Sequence, residues 1–179
     1  MKRIALIAVV LALLAAPVFA QFRLDFGVMV PRGISSTSGS TSGSTSEGSF
    51  VSSWPFIPLP EAGIYYQGDL GPVKLGIGAR AFSFILENIV WPNAYAELDL
   101  GRFALQAQFG GGLFATFGLL ANSTSTGNVF IPDLSAWFLI GKQRNFRLGG
   151  GLVGLDVPDV FGSTMPILLY LGGKLSIML

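Results

Sequence analysis

The chain has no cysteine and no histidine. Those absences remove disulfide frameworks, Cys/His zinc sites and every mechanism that needs an imidazole or a thiolate. Charge is scarce too: 12% of the 179 residues are Asp, Glu, Lys or Arg, and the formal net charge is +1. So balanced a chain offers no basic stripe to nucleic acid, and none is expected as a partner. What it has in excess is apolar or small, with 51% hydrophobic residues, 24 Gly and 15 Phe. That content is far from the composition of a disordered chain, and the length suits one domain.

Lys2 and Arg3 precede an unbroken apolar run from Ile4 to Ala16, which Pro17 ends; Val18 and Ala20 then supply small residues at positions −3 and −1 of a cleavage site. Residues 1–20 read as a secretory signal peptide cut before Gln21. The run is shorter than the ~20 residues of a spanning helix. Export without cysteine points to a bacterial envelope.

From residue 21 to 179 the apolar residues recur with a period of two, the mark of strands with one apolar face. Phe22, Leu24, Phe26, Val28 and Val30 alternate with Arg23, Asp25, Gly27 and Met29. The same alternation surrounds the turns at Leu70-Gly71-Pro72, Gly101-Arg102 and Lys142-Gln143-Arg144-Asn145, and it returns in the last strand, where Leu169, Leu171, Leu175, Ile177 and Leu179 oppose Tyr170, Gly172, Lys174 and Ser176. Eight strands result. Short turns near 71, 101 and 143 sit at one end, and links at roughly 32–54, 87–92, 118–129 and 156–164 join the other. The tract from Gly33 to Ser49 repeats Thr-Ser-Gly-Ser. It reads as a Ser/Thr/Gly-rich loop at about 33–53, too polar to fold alone.

Ionisable side chains collect on one parity of these strands: Arg23, Asp25, Glu61, Asp69, Lys74, Arg80, Glu97, Asp99, Arg147 and Lys174. The other parity is rich in Leu, Phe, Ala and Ile. Five cations and five anions on a shared face fit a salt-bridge network inside a narrow barrel, whose uncharged outer face meets lipid. A closed barrel satisfies its own backbone, so it spans a membrane where an open sheet cannot. The fold expected is all-β: an eight-stranded antiparallel up-and-down transmembrane barrel over residues 21–179. The rivals are a helical span over residues 103–121 and a soluble lipid-binding barrel.

With these features the chain resembles the small eight-stranded outer-membrane β-barrels of bacteria, of the OmpA, OmpX and OmpW class. The likeness is architectural and covers the whole exported part; Leu179 stands where such barrels commonly end in an aromatic residue. It implies residence in the outer membrane, with membrane lipid and the barrel-assembly machinery as partners. It also implies one of two roles. The first is a structural or surface-interaction protein with exposed loops that contact an external ligand. The second, OmpW-like, is a narrow channel or binding site for a small hydrophobic solute. An enzymatic role, a cofactor and a metal are not expected.

Several side chains carry narrower expectations. Trp54, Phe56, Tyr66, Trp91, Phe103, Phe130 and Phe146 lie near strand ends and read as interfacial girdles, while Trp137 shares the parity of Asp133 and Ser135 and reads as an inward filler. Ile85, Leu86, Ile89, Val90 and Trp91, with inward Phe82 and Phe84, would suit an apolar entry near the second outer loop. Gly149-x-Gly151-x-x-Gly154 matches a dinucleotide fingerprint but has no helix after it. Lys174 and Ser176 share a face, and an interior lysine is preferred to a Ser–Lys nucleophile pair. Asp133 and Asp159 give no paired-carboxylate site.

Overall fold

The structure, a computed structural model, describes residues 20–37, 57–84, 86–119, 122–156 and 165–179. Residues 1–19 of the signal segment, most of the Ser/Thr/Gly tract, Trp54, Phe56, Ile85 and Asp159 lie outside the described residues, as does the side chain of Phe84. The elements are β1 (Ala20–Thr37), β2 (Leu59–Leu70), β3 (Val73–Phe84), β4 (Glu87–Asp99), β5 (Phe103–Gly118), β6 (Asn122–Ile140), β7 (Phe146–Gly154) and β8 (Met165–Met178). Each strand pairs antiparallel with the next, and β8 closes on β1 through pairs such as Phe26 with Leu175. The result is a closed eight-stranded up-and-down barrel. Among the described residues there is no helix, and residues 103–118 are strand β5.

The alternation in sequence becomes two surfaces. Phe22, Ile77 and Leu134 stand outside, 53%, 63% and 62% exposed, whereas Arg23, Glu97 and Arg80 inside are 0%, 1% and 3% exposed. A soluble barrel has the opposite arrangement. In water each outward side chain would forfeit about 25 cal/mol per Å² of apolar surface left uncovered; in hydrocarbon it forfeits nothing. At the short-turn end the outward rings form pairs: Phe22 with Tyr66, centroids 5.5 Å apart, and Phe103 with Phe138 at 5.3 Å.

The tight turns follow from their residues. Gly71, at φ +65°, takes the first position of a two-residue turn closed by the Leu70–Val73 pair. A positive φ there matches the twist of the strands it joins, and Pro72 follows with its fixed negative φ. At the other end the strands run further than the alternation predicts. Residues 87–92 belong to β4, residues 122–129 to β6, and β1 continues to Thr37. Three expected links are thus wholly or partly strand. In β6 the residues at 122–128 are Ser, Thr, Asn and Gly, which read as loop, but ladder hydrogen bonds need only backbone. Prolines also mark these stretches. Pro31 and Pro92 sit where the β1–β8 and β4–β5 registers shift, the irregular positions where a strand tolerates a missing N–H.

Candidate functional site

Among the described residues, the interior gathers most of the ionisable side chains, and it has two halves. The half toward the short turns is charged. Arg80 on β3 lies between Asp133 on β6, at 2.6 Å, and Glu61 on β2, at 2.7 Å. Lys174 on β8 comes next, 3.6 Å from Glu61 and 3.8 Å from Asp25. Arg23 holds Asp25 through two parallel bonds, Nε to Oδ1 at 2.7 Å and Nη2 to Oδ2 at 2.9 Å, and reaches Glu97 on β4 at 2.9 Å. Glu97 also takes Arg147 of β7 at 2.7 Å, and Lys74 stands 4.0 Å away. From Lys74 the series continues to Asp99 at 3.4 Å and to Arg144 at 2.9 Å, out to the rim.

Charges therefore alternate in sign along one connected series from mid-barrel to the turn end. Every strand but β5 contributes a charged side chain; β5 contributes Gln106 and Gln108. Those amides are hydrogen-bonded into the same network. Lys174 donates to Gln106 Oε1 at 3.3 Å, Gln108 donates to the same oxygen at 3.2 Å, and Asn93 donates to Gln108 Oε1 at 2.7 Å. Tyr95 donates its hydroxyl to Gln67 at 2.5 Å, and Tyr170 donates to Asp133 at 2.8 Å. Gly76 on the neighbouring strand has no side chain because the Tyr95 ring lies where a Cβ would be.

Of the ten ionisable residues that parity puts inside, the structure joins nine in this series. Asp69 is the one that makes no ion pair with them. It is exposed beside the β2–β3 turn, where it lines the mouth of the bore with Lys74, Asp99 and Arg147, and accepts the Gln67 amide at 2.7 Å instead of a cation. Asp133, which alone suggested no site, is buried and takes both Arg80 and Tyr170. Its parity pointed inward, but nothing in the sequence pairs it with a residue three strands away. Lys174 faces two carboxylates and lies 4.5 Å above the Trp137 ring, and Ser176 accepts from Arg23 at 3.3 Å. Neither is arranged as nucleophile or base. Trp137 points inward and is buried.

The half toward the longer links is apolar. Met29, Leu59, Phe82, Trp91, Ile131 and Leu168 pack together there, each 9% exposed or less. Trp91 corrects the girdle expectation. It shares the inward parity of Asn93 and Tyr95, and its ring meets Phe82 edge-on at 5.0 Å and stacks on Phe114 at 6.2 Å. Tyr66, Phe103, Phe130 and Phe146 do stand outside. Arg80 marks the boundary between the halves, with its guanidinium 4.8 Å from the Phe82 ring centre and its two carboxylates below. Among the described residues no group of acidic side chains converges on a metal-sized site.

No family model matches this chain, and no curated protein matches it. Among solved structures it is similar to Neisserial surface protein A, at 12% identity over 87% of this chain and 97% of that one, with a TM-score of 0.44. It is also similar to the N-terminal β-barrel domain of Pseudomonas aeruginosa OprF, at 11% identity over 88% and 99% of the two chains, TM-score 0.48. A third is Ail, the attachment invasion locus protein of Yersinia pestis, at 9% identity over 89% and 99%, TM-score 0.36; it has also been solved with the heparin analogue sucrose octasulfate. All three are small eight-stranded outer-membrane barrels. At such scores the fold of this chain rests on its own closed register, and that register makes it an eight-stranded barrel with an apolar outside and a charged and apolar inside.

Proposed function

We propose that the chain spans the bacterial outer membrane as a structural or surface-interaction barrel. Its strands are a rigid anchor, and its longer links face the cell exterior. The observation that carries this reading is the inversion of surfaces: Phe, Leu and Ile outside, buried ion pairs inside. An eight-stranded barrel has a bore that side chains can just fill. Here the charged series crosses one half, leaving a cavity of about 240 Å³ at the turn-end mouth beside Lys74, Asp99 and Arg147, and the Met29–Trp91–Leu168 cluster packs the other. Function is then left to the links, of which the Ser/Thr/Gly tract is the longest.

A tag inserted near Gly43 tests the reading. In intact cells it should be labelled by an impermeant reagent, with the protein recovered in the outer-membrane fraction. Labelling only after lysis would reverse the topology and withdraw the surface role.

The second reading, a binding site for a small hydrophobic molecule, draws on the apolar half alone. The indole and phenyl faces of Trp91, Phe82 and Phe114 are suitable walls. These side chains already pack on one another, so a solute would have to displace them; this favours the first reading.

A further inference from the structure

We infer that the short-turn rim carries a binding site for the headgroup of an anionic phospholipid. The inference rests on the membrane-spanning reading above. A groove of about 620 Å³ lies between the β4–β5 and β6–β7 turns, lined by Gly101, Arg102, Phe138, Ile140, Lys142 and Arg144 among others. Its cations are three, and no acidic side chain lines it. Asp99, at the same pair of turns, is already held by Lys74 and Arg144. Arg102 and Lys142 are exposed, and among the described residues neither has a carboxylate partner.

The groove is built. The Arg102 carbonyl accepts the Leu139 N–H at 2.8 Å, and Arg144 bridges the two turns through the Gly101 carbonyl at 3.0 Å and both oxygens of Asp99 at 2.9 Å. Its outer wall is continuous with the apolar face. Phe138 stands 40% exposed and packs on Phe103, itself 56% exposed, at the tip of the β5–β6 pair. Cations beside outward rings, at the end of a hydrophobic band, match a phosphodiester with its acyl chains running down the wall. A soluble anion would use the cations and leave the rings without a role.

The test uses the protein folded in detergent and native mass spectrometry, with dioleoylphosphatidylglycerol and dioleoylphosphatidylcholine as the probes. The wild type should retain phosphatidylglycerol preferentially. Arg102→Gln with Lys142→Gln should weaken that retention roughly thirtyfold and leave phosphatidylcholine unchanged. Arg32→Gln, a cation lost from the opposite end, should change neither. Equal retention of both lipids by the wild type, or undiminished phosphatidylglycerol in the double variant, would overturn the inference. So would displacement of the lipid by equimolar inorganic phosphate, which would make this a site for a free anion. Insertion into vesicles is measured on the same samples. Protein that fails to insert removes the membrane reading and this inference together, whereas inserted protein with no lipid preference removes this inference alone.

Discussion

Arg80 on β3 donates to Asp133 on β6 at 2.6 Å, although three strand positions separate them around the wall. Such a bond can only cross the bore. Arg23 to Glu97, from β1 to β4, and Arg147 to Glu97, from β7 to β4, cross it as well. The interior is thus tied across, and the strands are held together by more than their ladders.

Breaking that tie has a large expected cost. Asp133→Ala leaves Arg80 with Glu61 alone and takes the acceptor from Tyr170. Removing one partner of a buried ion pair costs about 3–5 kcal/mol. Urea unfolding in lipid vesicles should show that loss, and an Arg80→Met, Asp133→Leu double variant should recover much of it. A loss below about 1 kcal/mol for Asp133→Ala, the range of exposed pairs, would mean that water already reaches Arg80.

The rim offers the contrast. Arg144 is 46% exposed and pairs with Asp99 at 2.9 Å. Exposed pairs contribute about 0–1 kcal/mol and are screened by salt. Asp99→Asn should therefore shift the unfolding midpoint slightly, and the shift should disappear in about 1 M salt, where the screening length is ~3 Å. The Asp133→Ala effect should persist there.

Gly76 is a packing test. The Tyr95 ring lies against its Cα, and any side chain must push the ring and its bond to Gln67 aside. Gly76→Ala is expected to destabilise the barrel by about 1–3 kcal/mol, as overpacking does. The same substitution at Gly127, where nothing lies within 4 Å of the added carbon, should be tolerated.

Two fillings in series predict how the bore conducts. Trp91→Ala loosens only the apolar half, since the charged series from Asp133 to Arg147 does not involve Trp91. In planar bilayers the wild type and Trp91→Ala should both show at most small, rare openings. Large, steady conductance from Trp91→Ala alone would place the whole seal in the apolar half.

What the sequence makes legible follows from local rules. Parity along a strand is local, so the facing of Arg23, Glu97, Lys174 and Trp137 could be read directly. Parity puts Trp91 inside as well, and its burial shows that strand parity outranks the preference of indoles for interfaces here. Which cation meets which carboxylate was not legible, because that depends on the stagger of strands around the wall, and Arg80 and Asp133 are 53 residues apart. The outward reach of β6 was hidden for another reason. Asn122 to Asn128 extend the sheet through backbone pairing with β5, such as Thr116 with Ser123, and carry no apolar face to announce it.

Gel mobility of the protein from the outer-membrane fraction, unheated and boiled in detergent, tests the central claim most directly. A closed barrel tied across its bore should stay folded in cold detergent and migrate apart from its boiled form. Identical mobility, with the protein recovered from the periplasm or the inner membrane, would contradict the account of a lipid-spanning barrel.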